Sequence, residues 1–356
     1  MHNPARNSRR EHGRDNMADE IFVTPTVQGE KKGITGTTLK IIALVAMFID
    51  HFAAILIGDY LMKITPVSMD QQAQMQWVMQ DSQARRAYAI YGIMRMIGRF
   101  GFPIFAFLIV EGFLHTRSVW KYALNLGAFA LISELPFNLG FSSKLLFPGY
   151  QNVFFTLFLG LLCIAGMHYL GETKKEDERF RPLFFVAAFL AIPLAVWLVV
   201  KHCGILTLFF KPDGMTLTII LFAFGVISLI MFLIIGWKWD TAKRNTLSSL
   251  VFPVLVCCAL GDLLSTDYAA AGVLTIAVMY LFREKPKKAF ALGCTVLTLM
   301  SIEEAMAFFM LIPIGRYNGK RGMKINKYVF YAFYPVHIGL IYLLTLLLGF
   351  TTFLIR

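Results

Sequence analysis

Charge is scarce in this sequence. Asp, Glu, Lys and Arg make up 16% of its 356 residues, against about 25% in an ordinary soluble domain. Too little polar surface is left to cover a water-exposed globule, which excludes a soluble enzyme. Cysteine is sparse as well. Cys163, Cys203, Cys257, Cys258 and Cys294 lie in or beside apolar runs, with no CxxC pair and no Cys/His spacing. A secreted disulfide scaffold is therefore excluded, and no metal site is expected; the thiols read as small buried hydrophobes. The sequence also has no repeat with a period of 20–50 residues and no low-complexity tract.

What the sequence has is apolar length. Hydrophobic residues make up 57% of the chain, roughly 200 residues, and a membrane span takes about 20. On the order of ten spans follow. The net charge of +12 would suggest nucleic acid on a soluble protein. On a membrane chain, Lys and Arg instead collect in cytoplasmic loops, so the partner expected is the lipid bilayer and not nucleic acid. The fold class that follows is all-α, a polytopic integral membrane helix bundle of about ten transmembrane helices.

Residues 1–37 are polar, without apolar periodicity, and read as a disordered cytoplasmic tail. Residues 38–356 form the membrane domain. The first apolar run begins near Ile41, after a long hydrophilic lead, and reads as a retained span and not a cleaved leader. Ten segments are expected, at 38–59, 89–115, 119–139, 152–171, 183–201, 215–237, 247–263, 267–283, 289–314 and 328–354. The second is unusually long, and a break is expected near Gly101-Phe102-Pro103. With the N-terminus inside, basic residues of the tail, of Arg117 and Lys121, of Lys174 to Arg181, of Lys238 to Arg244 and of Arg283 to Lys288 all fall on the cytoplasmic side. Ten spans leave one misfit. Arg316, Lys320, Arg321, Lys324 and Lys327 land outside, so either the count is off by one or that loop is basic for a reason.

Ionisable groups at membrane depth are costly, roughly 2.5–3.5 kcal/mol each on insertion scales, and mark function by default. Asp50-His51 sits mid-span in the first segment. His51 is the candidate general base, since histidine titrates near neutrality, and Asp50 would orient or charge-balance it. The structural alternative is a polar pair bonding across the bundle. Arg95 and Arg99 are four apart, on one helical face. Arg99 reads as a clamp for an anionic group or as half of an ion pair, with Asp50 or Glu134 as the carboxylate. Glu111 and His115, at i and i+4, read as a hydrogen-bonded pair before a metal pair. Glu134 lies beside Pro136, where a bend can line a cavity. Asp262 reads as an interfacial turn residue, Glu303-Glu304 has no explanation from sequence, and His337 reads as a satisfied histidine among aromatics.

These residues fall within an ordered series of words. They run from Leu39-Lys40-Ile41-Ile42-Ala43-Leu44 to Ile49-Asp50-His51, then from Ile97-Gly98-Arg99 to Phe102-Pro103-Ile104-Phe105. Glu111-Gly112-Phe113, His115-Thr116-Arg117, Ser133-Glu134-Leu135-Pro136-Phe137 and Asn152-Val153-Phe154-Phe155-Thr156-Leu157 follow. Asn318-Gly319-Lys320-Arg321-Gly322 and the stretch from Lys327-Tyr328 to Pro335-Val336-His337 close the series. In this the sequence resembles the TraX family of bacterial membrane proteins, in order over most of residues 38–345. The polar tail and an insertion at about residues 62–87 depart from the family pattern.

The resemblance implies a multi-span acyltransferase of the bacterial cytoplasmic membrane, of a kind associated with N-terminal acetylation of conjugative pilin. It implies acetyl-CoA as acyl donor on the cytosolic side and a membrane or envelope acceptor, pilin-like or glycan-like. Carried over residue by residue, Asp50 and His51 match the first-span motif, and Arg99, Glu111, His115 and Glu134 match the next two as substrate- or cofactor-binding positions. The expected chemistry is removal of an acceptor proton by His51, with Arg99 steadying the thioester oxygen. A proton-coupled transporter would use the same intramembrane His, Arg and Glu groups. Inverted repeats would favour it, and the sequence has none.

Overall fold

The computed structural model describes residues 33–66, 70–173, 177–203 and 213–351. Of the tail expected over 1–37, residues 1–32 lie outside the described residues, as do Lys174 and Lys175. From Gly33 onward the chain belongs to the bundle.

The first span is helix α1 (Gly36–His51), continued by a π-helical turn (Phe52–Ile57) into α2 (Gly58–Ile64). Thr35 caps α1, its hydroxyl accepting from the Thr38 amide at 3.3 Å, which satisfies one of the free N–H groups of the first turn. A short α3 (Gln71–Gln80) leads to α4 (Ser82–Gly98), capped by Asp81. Arg99 and Phe100 then break the long second segment, and α5 (Gly101–His115) completes it. The break falls where Gly101-Phe102-Pro103 predicts it. Pro103 is in the first turn of α5, where an amide would have no helical partner anyway.

Next come α6 (Val119–Ser142), α7 (Val153–Thr173), α8 (Arg181–His202), α9 (Gly214–Trp237) and α10 (Thr241–Leu263). Pro136, Pro193 and Pro253 lie inside three of these helices. The last long helix is α14 (Lys327–Leu347). Among the described residues, eight helical stretches are long and apolar enough to cross a membrane. Large apolar side chains face outward around the bundle, Leu131 at 70% and Phe222 at 72% exposure, as a lipid-facing surface requires. The protein is a polytopic helical membrane bundle.

Two of the ten expected segments differ from expectation. Segment 267–283 is α11 (Ala269–Leu281), 13 residues long, and segment 289–314 is no single helix. It splits into α12 (Pro286–Met300), a 3-10 helix (Ile302–Met310) and α13 (Leu311–Gly315). Ser301 between the first two is extended, at φ −146° and ψ 132°. Fifteen helical residues rise only about 22 Å, short of a hydrocarbon core of about 30 Å. The return limb of this hairpin brings Gly315 against the Lys287 side chain, near the start of α12. The hairpin therefore enters and leaves at the same end of the bundle, with its tip at Glu303-Glu304.

That geometry resolves the misplaced basic loop. Residues 316–326 lie at the end where α1 begins. Ile34 and Tyr317 form an isolated β-bridge. Gly36 and Thr37 amides donate to the Lys320 and Arg321 carbonyls at 2.9 and 2.8 Å. Among the described residues, the basic connections after α5, α7, α9, α11 and α13 then share one end with the start of α1. At the opposite end, Gln151 pairs with Thr266, Lys63 Nζ donates to the Gly349 carbonyl at 2.8 Å, and Lys201 meets Asp262 at 2.8 Å. Asp262 also accepts from the Ala270 amide at 2.9 Å, the turn role expected of it.

Helix α5 is central. Ten of its 15 residues are buried, and α1, α7, α11 and α12 pack around it. Helices α8 and α9 form an outlying pair that reaches the rest mainly through α10.

Candidate functional site

The mid-span histidine is buried at the end of α1, where the helix widens into its π turn. π turns are rare and concentrate at functional sites. His51 does not engage Asp50. Successive helical residues point about 100° apart, and its partner is across the bundle. His51 Nδ1 lies 2.7 Å from His337 Nε2, and His337 Nδ1 lies 2.6 Å from the Phe333 carbonyl. Phe141 and Tyr334 meet the His51 ring edge-on, with centroids at 5.4 and 5.5 Å. The orienting role expected of Asp50 thus has no bond to support it.

Asp50 turns to the second helix pair instead. Its Oδ2 accepts from Arg95 Nη1 at 2.5 Å. The carboxylate fills the notch left by Gly98, where an added Cβ would run into it. Arg99, at the α4–α5 break, reaches the hairpin tip. It donates to Glu304 Oε1 at 2.8 Å and to Glu303 Oε2 at 3.4 Å. Glu304 is fully buried, and Glu303 is 63% exposed. The two arginines so occupy two different carboxylate sets, and Glu134 belongs to neither. The pairing also explains Glu303-Glu304, which sequence could flag as odd but not assign.

Glu134 accepts from Asn152 Nδ2 at 2.5 Å, on the side of the opposite-end loops. Nearby, Tyr150 donates to Asp267 at 2.8 Å. Asp267 lies in the turn between α10 and α11. Burial pushes its carboxyl up to about 6, against the lowering effect of the Tyr150 hydroxyl.

The remaining two expected residues line a cavity of about 430 Å³ that opens at the basic end. Glu111 and His115 are on its wall, but not as the side-chain pair their spacing suggests. His115 Nδ1 bonds to the Glu111 backbone carbonyl at 2.8 Å. The Glu111 carboxylate accepts from Tyr317 at 2.9 Å. Lys40, Arg321 and Lys327 also line the cavity, and Met47 and Tyr334 line it further along the span. Met47 is one helical turn before His51, and Tyr334 touches the His51 ring. The Tyr334 hydroxyl is buried, and its proton has no acceptor among the described residues. Sequence reasoning missed Tyr334, Tyr317, Lys40 and Arg321, because only tertiary packing brings the last span and the 316–326 loop to α1 and α5.

The structure therefore sets the six expected residues in four places. His51 is beside the cavity, Glu111 and His115 are on its wall, and Asp50 and Arg99 brace the helix break. Glu134 faces the opposite end.

The family model described as TraX protein matches residues 35–212 and 208–345. A curated relative from Dichelobacter nodosus, named a probable fimbrial assembly protein FimC of serogroup H1, is 26% identical over 313 residues. That match covers 85% of this chain and 92% of the relative. No solved structure matches. The two family-matched stretches cover the chain from residue 35 to residue 345, from the start of α1 into the last turn of α14, and the chain belongs to the TraX family.

Proposed function

We propose that this protein is a membrane-embedded acyltransferase that takes an acetyl group from acetyl-CoA and places it on an O–H or N–H group of a membrane-associated or envelope acceptor. The observation that carries the reading is the cavity between the basic end and His51. Its mouth has Lys40, Arg321 and Lys327, which suit the phosphates of a CoA donor. Its far wall has Met47 and Tyr334 next to His51, and this suits a thioester presented to a base. Positive charge gathered at one end favours a cytoplasmic position for it, in a bacterial cell the cytoplasmic face of the inner membrane. The fimbrial setting of the Dichelobacter nodosus relative favours a pilus subunit as acceptor.

In the proposed step the acceptor oxygen or nitrogen attacks the thioester carbonyl carbon while His51 takes its proton. Negative charge develops on the carbonyl oxygen. Arg99, the group expected to steady it, is already committed to Glu303 and Glu304. Collapse breaks the C–S bond, and the departing CoA thiolate takes the proton back from His51. Glu111 and His115 would position the donor along the wall.

The test is detergent-purified protein assayed for acetyl-CoA binding and for acetyl release or transfer. His51→Ala is expected to lower turnover roughly 100-fold or more at unchanged membrane expression. A fully active His51→Ala protein overturns the reading.

A further inference from the structure

The two buried histidines are joined more specifically than by proximity. The imidazole planes of His51 and His337 are 3° from parallel, and their centroids are 5.0 Å apart. With only 2.7 Å between the nitrogens, centroid, nitrogen, nitrogen and centroid must lie almost on one line. The rings are therefore coplanar and end to end, not face to face, which is the linear geometry of a good N–H···N bond.

The proton positions follow from the far end of this chain. The Phe333 carbonyl only accepts, so His337 Nδ1 carries the hydrogen that bonds to it. In a neutral ring the other nitrogen is then a bare acceptor. His337 Nε2 must therefore receive its hydrogen from His51 Nδ1, which leaves His51 Nε2 unprotonated. No other group among the described residues bonds to His51. Arg95 of α4 acts on it only through space, Asp50 beside it is held by Arg95, and Phe141 of α6 and Tyr334 of α14 meet it with ring faces or edges. Phe333 lies against the His337 ring, centroids 4.7 Å apart, and limits its rotation.

We infer that His337 is a positioning residue that fixes His51 in the tautomer whose Nε2 lone pair is free to take a proton. The carbonyl–histidine–histidine chain does for His51 what an orienting third group does for the base in other base-activated sites. Its activity consequence rests on the acyl-transfer reading above, whereas the tautomer does not.

The experiment uses full-length protein in liposomes with ¹⁵N-labelled histidine. Solid-state NMR reports which ring nitrogen of His51 carries hydrogen, the signal being assigned by its loss in His51→Gln. The expected result is a neutral Nδ1–H, bare-Nε2 ring in the native protein. His337→Phe, which has no acceptor, should release His51 to the opposite tautomer or to a mixture. His337→Gln, whose amide oxygen can accept from Nδ1, should restore the native pattern. Turnover with acetyl-CoA should fall at least 10-fold in His337→Phe at unchanged KM, and recover largely in His337→Gln. A native His51 bearing hydrogen on Nε2 overturns the inference, as does a native pattern that survives His337→Phe. If the tautomer is as inferred but native protein neither binds nor turns over acetyl-CoA, the acyl-transfer reading fails and the positioning role stands.

Discussion

At the scale of single residues, the polar groups divide into those that brace the bundle and those left available. Glu304 is fully buried against Arg99. Removing one partner of such a pair strands the other charge and typically costs about 3–5 kcal/mol. Glu304→Ala should therefore lower the unfolding midpoint in detergent markedly, and Arg99→Leu combined with Glu304→Leu should recover most of the loss. Gly98 is a second such point, because its missing side chain is where the Asp50 carboxylate sits. Gly98→Ala should push Asp50 off Arg95 and destabilise the protein, with Gly92→Ala, which lies inside the same helix and meets nothing within 4 Å, as the control expected to hold or slightly raise the midpoint in the same melts. Asp267 adds a pH dependence. Burial raises its folded-state value to about 6, above an unfolded value of about 3.9. The folded state then holds the proton more tightly, so this contribution is full at low pH and is lost as pH rises through about 6. Asp267→Asn should flatten the stability curve between roughly pH 4 and 6.

At the scale of elements, the 286–315 hairpin decides the topology. An apolar stretch of spanning length does not have to span. Here Ser301 leaves the helical region, and the return runs as a 3-10 helix, so the chain comes back to Lys287. Glu303 and Glu304 at the tip are accommodated because Arg99 stands at the α4–α5 break to receive them. The expected consequence is measurable by cysteine accessibility in membrane vesicles. Lys285→Cys and Lys324→Cys should label from the same side, and Gln80→Cys from the other. Opposite labelling of Lys285→Cys and Lys324→Cys would mean that the hairpin crosses.

At the scale of the whole molecule, one end collects the basic loops and the cavity mouth. In the proposed acyl transfer, the side from which a donor would enter is thereby a property of the assembled bundle. Acetyl-CoA added to sealed vesicles should be used only by those exposing the Lys285 and Lys324 side. Arg321→Glu with Lys327→Glu should raise KM for acetyl-CoA at least 10-fold with kcat little changed.

Much of this architecture follows from composition and spacing alone. An apolar excess in water has no refuge but lipid, and in lipid the backbone must satisfy its own hydrogen bonds, so helices of spanning length are dictated locally. The break before Pro103 and the intramembrane positions of His51, Asp50 and Arg99 are legible for the same reason, since each depends on its neighbours in the chain. Partners are not local. The approach of His337 to His51 joins residues 286 apart, and that of Glu304 to Arg99 joins residues 205 apart. A charge or an imidazole at membrane depth announces that it needs a partner, but only the packing of distant helices selects which one. Hence the sequence by itself determined that this is a helical membrane bundle with polar groups at its centre. The tertiary structure decided which of them are spent on ion pairs, and it set His51 against His337, next to the Tyr334 wall of a cavity.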